Sequence, residues 1–300
     1  MRSPGEGPRR RRRAGEARAA WAFLGPYLLT LALFMVLPLF WALTISFQQD
    51  NGFGDARWSG LDNYVRLATD VHFWLAALNT ALFTAVVTPL SMALGLGAAT
   101  LLNPVLPGRA VFRSVFILPM AVSGVATALT GALVFNENNG IFNALLGSLG
   151  LGGVQWQSGG VAAFASVALV TLWWRVGFNM LIYLAGLQGI DPVLYESARL
   201  DGAGRRQRFR YITVPMVGPS SFFLVIMNVI YSFQVFDIVF VMTGGGPRDA
   251  TSVLVTYAYE TAFTTRDHGY SAAIGMVLLL LTFGFTVARW RTGRTADVTG

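Results

Sequence analysis

No cysteine and no lysine occur in these 300 residues, histidine appears twice, and charge of either sign is scarce. Without cysteine there are no disulfides, thiolate metal sites or redox thiols. Without lysine there is no phosphate-loop lysine for nucleotide hydrolysis and no Schiff base to retinal or pyridoxal phosphate. Any ATP spent on behalf of this chain is therefore hydrolysed by another. Two histidines, His72 and His268, fall short of the three protein ligands that a catalytic zinc commonly takes. Charged residues make up 12% of the chain against 54% hydrophobic, where a soluble protein carries about a quarter charged. Lipid is the solvent for this sequence.

A spanning helix needs about 20 mostly apolar residues to cross a hydrocarbon core about 30 Å thick. Six stretches qualify: Trp21 to Phe47, Leu75 to Leu102, Ala110 to Phe135, Gly160 to Leu187, Val217 to Met242 and Tyr270 to Trp290. The breaks between them carry Asn, Asp, Gly, Pro and charge, as loops do. Pro26, Pro38, Pro89 and Pro119 lie within spans, where neighbouring helices support the kinks they cause. The pattern predicts an all-α polytopic membrane protein. Its expected organisation is a basic tail over 1–20, a six-span region over 21–292 and a short tail over 293–300.

The 22 basic residues, all arginine, exceed 15 acidic ones, and their distribution is more informative than the net +7. Counted on alternate sides of the spans, seventeen fall on the face of the two termini, the second loop and the fourth loop. Four, Arg57, Arg66, Arg248 and Arg266, fall opposite. The positive-inside bias then predicts that both termini and the fourth loop are cytoplasmic. The Arg9 to Arg13 run reads as a membrane-surface anchor. A nucleic-acid patch or the start of a secretory signal fits it less well, and the apolar segment that follows is too long for a signal core. No nucleic-acid partner is expected.

The fourth loop, about 188–215, has the sharpest pattern. It reads Asp191-Pro192-Val193-Leu194-Tyr195-Glu196-Ser197-Ala198-Arg199-Leu200-Asp201-Gly202. Aspartate before proline is a helix N-cap with proline in the first turn, and glycine readily takes the left-handed conformation that ends a helix. A second helical piece is expected from about Ala203 to Thr213, ended by Pro215. The loop is thus predicted to be a folded helix-turn-helix on the cytoplasmic surface.

Glu196-Ser197-Ala198, then Gly202, Ile212 and Val214-Pro215 at their spacing, resemble the Glu-Ala-Ala loop of permease subunits in binding-protein-dependent ABC importers. Ser197 stands where that family has a second alanine, and Val214 where it usually has leucine. Gly177-Phe178-Asn179, Leu187-Gln188 and Thr243-Gly244-Gly245-Gly246-Pro247 are similar to the carbohydrate-uptake, maltose-type branch, so the resemblance covers residues 18 to 292. It implies that Glu196, Ser197, Ala198, Asp201, Gly202, Ile212 and Pro215 form the coupling helix region that docks in a groove of the ATPase. It also implies a second, different permease, two ABC ATPase subunits, an extracytoplasmic solute-binding protein and residence in a bacterial cytoplasmic membrane. ATP belongs to the partner ATPases and no cofactor is expected on this chain. Small residues at 197 and 198 suit a close partner backbone, Gly202 suits a sharp turn, and Glu196 can pair with a basic group in the groove.

Charged residues within spans mark candidate functional sites. Arg175 and Asp237 are the candidates taken here, at depths too different for a direct pair to be expected. Asn228 and Ser232 sit four apart on one face of the fifth span, with Phe233 and Phe236 beside them, and polar groups among rings suit a sugar. By the same resemblance Asn228 and Ser232 match solute-contacting positions, and Gly177 lies near another, so the substrate path is expected at Asn228, Ser232, Gly177 and Phe233. Interhelical hydrogen bonding is the competing role for Asn228 and Ser232. Trp173 and Trp174 read as packing or interface residues, and His72 and His268 as loop residues at the outer ends. Outer segments Asn136 to Ser158 and Gly244 to Pro247 are expected, from the resemblance, to receive the binding protein. The alternatives are an ion-coupled carrier or channel and a membrane-embedded enzyme. A coupled carrier more often shows several mid-membrane acids, and a lipid enzyme an acidic or histidine cluster, and neither pattern is present.

Overall fold

The computed structural model describes residues 21–52, 56–104 and 107–296, and beyond residue 291 the backbone alone. The arginine run at 9–13, with the rest of the 1–20 tail, and the last four residues of the 293–300 tail lie outside these. Four helices are long and apolar enough to cross a membrane: α1 (Trp21–Ser46), α3 (Val71–Leu102), α7 (Gly160–Gln188) and α13 (His268–Ala296). Between α1 and α3 come a two-residue β1 (Gln48–Gln49) paired antiparallel with β2 (Arg57–Trp58), and α2 (Asp62–Thr69). Two further helix pairs are apolar enough to cross only when taken together, and each is sharply bent at a break. One is α4 (Arg109–Ala121) with α5 (Gly124–Val134), bent by 103°, and the other is α9 (Arg205–Met216) with α10 (Gly218–Phe233), bent by 64°. Four to six spans result, the higher number if each bent pair counts as one.

The third hydrophobic stretch is therefore not the single helix its composition predicts. Pro119 has no N–H to give, and the chain turns sharply at Val122 and Ser123, where the Ser123 side chain accepts from Ala126 N at 3.3 Å and starts a new helix. A break inside a membrane exposes backbone that must find partners. Trp174 supplies one, its Nε1 donating to the Val122 carbonyl at 3.1 Å. The fifth stretch is also divided: α10 ends at Phe233 and the chain re-enters a helix as α11 (Asp237–Met242). Two π turns, Ala32–Val36 within α1 and Phe209–Thr213 within α9, each lie two residues before a proline, Pro38 and Pro215. A wider turn there accommodates a ring that would otherwise strike the preceding carbonyl.

α3 and α7 lie along one another and form the spine. On one half of the spine Phe83, Val87, Val167 and Val170 pack with Ile238 and Val239 of α11. On the other, Ala99, Met180, Tyr183 and Leu187 pack with Leu224 of α10. A third cluster joins α2, the start of α3, α12 (Leu254–Phe263) and α13 through Leu67, Phe73, Leu254, Tyr270 and Ile274. In contrast, none of the most apolar window of α1 is buried, as expected of a helix that faces lipid.

One end of the bundle is tied by polar contacts. Asp70 caps α3 by accepting from His72 N at 2.9 Å and receives the hydroxyls of Tyr257 and Tyr270, each at 2.5 Å. Burial pushes its carboxyl up, but these hydroxyl and amide donors outweigh that and hold it below its usual range. His72 Nδ1 meets Asp249 Oδ2 at 2.8 Å, and Arg66 pairs with Asp267 at 2.5 Å. Both histidines occupy first turns of helices, α3 and α13, rather than the loops expected for them.

Candidate functional site

Midway along the spine α7 presents Trp174, Arg175 and Asn179 to α10, which presents Asn228, Tyr231 and Ser232. Arg175 and Asn179 are four apart, hence on one helix face. Arg175 donates to Asn228 Oδ1 through Nε at 3.3 Å and Nη2 at 3.2 Å. Asn228 Nδ2 donates to Asn179 Oδ1 at 2.7 Å and to the Leu224 carbonyl at 2.8 Å. Asn179 Nδ2 returns a bond to the Arg175 carbonyl at 3.2 Å. The guanidinium lies against two rings, 4.8 Å from the centroid of Phe178 and 4.5 Å from that of Tyr231. Tyr231 in turn packs on Trp174 at 5.3 Å. Asn179 and Asn228 are buried, while Arg175 is only half-buried and keeps part of its surface accessible.

The residues singled out in the sequence are thus placed unequally. Asn228 stands at the centre of the cluster. Ser232, one turn further along α10, is buried with a hydroxyl that has no partner among the described residues. Phe233 is half-buried beside it. Gly177 is buried against α4: a Cβ built on it would fall on the Phe116 carbonyl, so only glycine lets these helices approach so closely. Asp237 opens α11 on an exposed surface, and Arg175 bonds to Asn228 instead. Asn179 and Tyr231 were not marked as site residues in the sequence. The four-residue spacing of Asn179 from Arg175 is the signal that could have found the first. Among the described residues no group of three or more His, Asp or Glu could hold a metal ion.

The loop after α7 folds where its sequence signals place it. Asp191 accepts from Val193 N at 2.9 Å and begins α8 (Pro192–Leu200). Gly202 takes φ +80°, and Ala203 N returns to the Ala198 carbonyl at 2.8 Å to close the end. Tyr195 braces this helix through its hydroxyl, 3.0 Å from Thr213 Oγ1. Glu196 and Ser197 are exposed, Ala198 is half-buried, and Val193, Leu194 and Leu200 expose apolar surface, Leu200 at 90%. Exposed apolar side chains on a braced helix mark a contact surface. Ile212 and Pro215 belong to α9, Ile212 half-buried and Pro215 exposed.

At the opposite end of α7 the segment from Asn136 is ordered by its own side chains. Glu137 accepts from the amides of Gln157 and Ser158 and from the Ser158 hydroxyl at 2.6–3.0 Å. These donors, the Gln157 amide foremost, hold the carboxyl below its usual range. Asn143 of α6 (Ile141–Ser148) bonds Trp156 Nε1 at 2.8 Å and the backbone of Glu137 and Val154. Asn79 of α3 pins the Gly244 loop by donating to the carbonyls of Asp249 and Ser252 at 2.7 and 2.9 Å.

A family model described as binding-protein-dependent transport system inner membrane component matches residues 91–292. The chain is 34% identical over 280 residues to the trehalose/maltose transport system permease protein MalF of Thermococcus litoralis, covering 93% of this chain and 95% of that one. It is 35% identical over 274 residues to the sn-glycerol-3-phosphate transport system permease protein UgpA of Yersinia enterocolitica, covering 89% and 92%. The sulfoquinovosyl glycerol transport system permease protein SmoG of Agrobacterium fabrum is 34% identical over 286 residues, covering 94% and 92%. In fold the chain matches a subunit of a bacterial ABC transporter that imports the acidic polysaccharide alginate, with a TM-score of 0.85 at 22% identity, over 97% of this chain and all of that one. A second structure of an alginate transporter, bound to its pentasaccharide-loaded periplasmic protein, matches with a TM-score of 0.84 at 21% identity, over 96% and 98%. With its bent helix pairs and its braced loop after α7, the chain belongs to the binding-protein-dependent transport system inner membrane component family and is a multi-pass permease subunit of an ABC importer.

Proposed function

We propose that this permease carries a sugar or oligosaccharide, and that the cluster between α7 and α10 lies on its path. The observation that carries this reading is the arrangement of Asn228, Arg175, Trp174 and Tyr231: amide and guanidinium donors set among aromatic rings, the combination that suits a polyhydroxylated solute. The sugar and glycerol derivatives named for its relatives support it. With α7 against α10 the Asn228 amide is occupied by Asn179. Separation of the two helices frees that amide and the guanidinium for solute hydroxyls, and Ser232, Phe233 and the α7 face at Gly177 continue the path.

Each bent pair counts as one crossing in this reading, which gives six spans, with both termini and α8 cytoplasmic. The counts of arginine support that orientation. α8 is the coupling helix, with Glu196, Ser197, Ala198, Asp201 and Gly202 at the ATPase groove and Ile212 and Pro215 of α9 completing the coupling region. The permease domain is 21–292, between a basic tail and a short C-terminal tail. The assembly contains a second, different permease, two ATPases that bind the ATP, and an extracytoplasmic binding protein resting on the segments around Asn143 and Asp249. ATP closes the ATPases, α8 transmits the motion, and the path turns outward; hydrolysis resets it.

The test uses the importer reconstituted in vesicles with its ATPases, second permease and binding protein. Uptake of the sugar held by the binding protein should require internal ATP. Asn228→Leu should cut uptake while ATP turnover stimulated by the binding protein continues. Uptake by Asn228→Leu equal to that of the parent would remove the cluster from the path.

A further inference from the structure

A cavity of about 930 Å³ opens where the last turns of α3 and α7 meet α8 and the start of α9. Three guanidiniums line it, those of Arg199, Arg205 and Arg208, against one carboxylate, Glu196. Among the described residues none of the three arginines makes an ion pair or a side-chain hydrogen bond, and Arg208 Nε is buried without a partner. Three arginines without partners on one cavity offer the planar, charged donors that a phosphate group takes. The remaining wall is mixed, with Leu101, Leu187 and Phe209 beside Thr100, Asn103 and Gln188.

The depth of the cavity narrows the source of that phosphate. Its walls include the final residues of two membrane-crossing helices, so it sits at the level of lipid headgroups. An exposed apolar stripe, Leu82, Val86, Leu90 and Leu94, runs along α3 and reaches the cavity at Leu101. A headgroup in the cavity would lay its chain along that stripe. Neutral lipid offers the same chain without net negative charge, so three unpaired arginines select for an anionic one.

We propose that this cavity binds the phosphate of an anionic phospholipid and so ties α8 to the membrane surface through lipid. Its assignment to the cytoplasmic leaflet rests on the orientation argued above, whereas the binding itself does not.

The test is native mass spectrometry of the full-length chain released from nanodiscs that mix phosphatidylglycerol with phosphatidylcholine. The parent should retain phosphatidylglycerol in preference. At about 1 kcal/mol per basic residue near an anionic surface, Arg205→Gln with Arg208→Gln should weaken that preference roughly thirtyfold. Arg199→Gln, on α8, should weaken it about fivefold by the same measure. Arg205→Lys with Arg208→Lys keeps the charge and should retain most of it. Equal retention of both lipids by the parent, or parent-like preference in both glutamine variants, overturns the proposal. In a parallel arm, inorganic phosphate is added at constant ionic strength and unfolding temperature is read. Stabilisation of the parent but not of the glutamine variants, together with no lipid preference, would keep the phosphate site and overturn its lipid source. None of these readouts involves transport, so failure here leaves the sugar reading intact, and the reverse.

Discussion

At the scale of single residues, close contact inside the membrane is made by what side chains omit. Gly177 admits the Phe116 carbonyl, and Gly177→Ala should cost about 1–3 kcal/mol by overpacking. Gly97→Ala, with no atom within 4 Å of the new methyl, should be neutral or mildly stabilising. Thermal unfolding in detergent separates the two, and equal midpoints would show that α4 can yield. Asp70 and Glu137 give a pH dependence. Both hold their protons less tightly when folded, by donors that outweigh burial at Asp70 and by the Gln157 and Ser158 donors at Glu137. The stability they add is therefore complete above their unfolded values of about 4 and is lost as pH falls through the lower folded ones. Unfolding temperature should fall on acidification below that point, and less steeply in Asp70→Asn. A parallel fall in that variant would exclude Asp70 as a source.

At the scale of elements, the Asp191 cap and the Gly202 turn define α8. Asp191→Ala should cost about 1 kcal/mol by leaving the Val193 amide without its cap. That loss should appear as faster hydrogen exchange over 192–200 with the rest of the bundle unchanged. Gly202→Trp places a side chain at φ +80° on the surface read as the ATPase contact. Membrane insertion should persist while uptake is lost, and normal uptake would refute the coupling role. These elements were legible in the sequence because capping and turn chemistry are local. The divisions at Val122 and Phe233 were not. Apolar content is blind to a bend that stays inside the membrane, and the donor that satisfies the Val122 carbonyl, Trp174, is 52 residues away. For the same reason Arg175 and Asn228 could be recognised as unusual, but not as partners.

For the whole molecule, the surfaces left unsatisfied describe an incomplete assembly. Val193, Leu194 and Leu200 of α8 face away from the chain's own core, and Arg175 stays partly accessible beside it. α1 is the extreme case, since none of its most apolar window is buried by the rest of the chain. The order of synthesis gives that fact a meaning. A helix that needs so little from later residues can settle in the bilayer while the remainder is still being made. The interior helices cannot, because Arg175 and Asn179 are translated about fifty residues before the Asn228 that satisfies them. α1 is thereby suited to set the direction in which the chain is threaded, and the polar spine is suited to wait, within the insertion machinery, for its last partner to arrive.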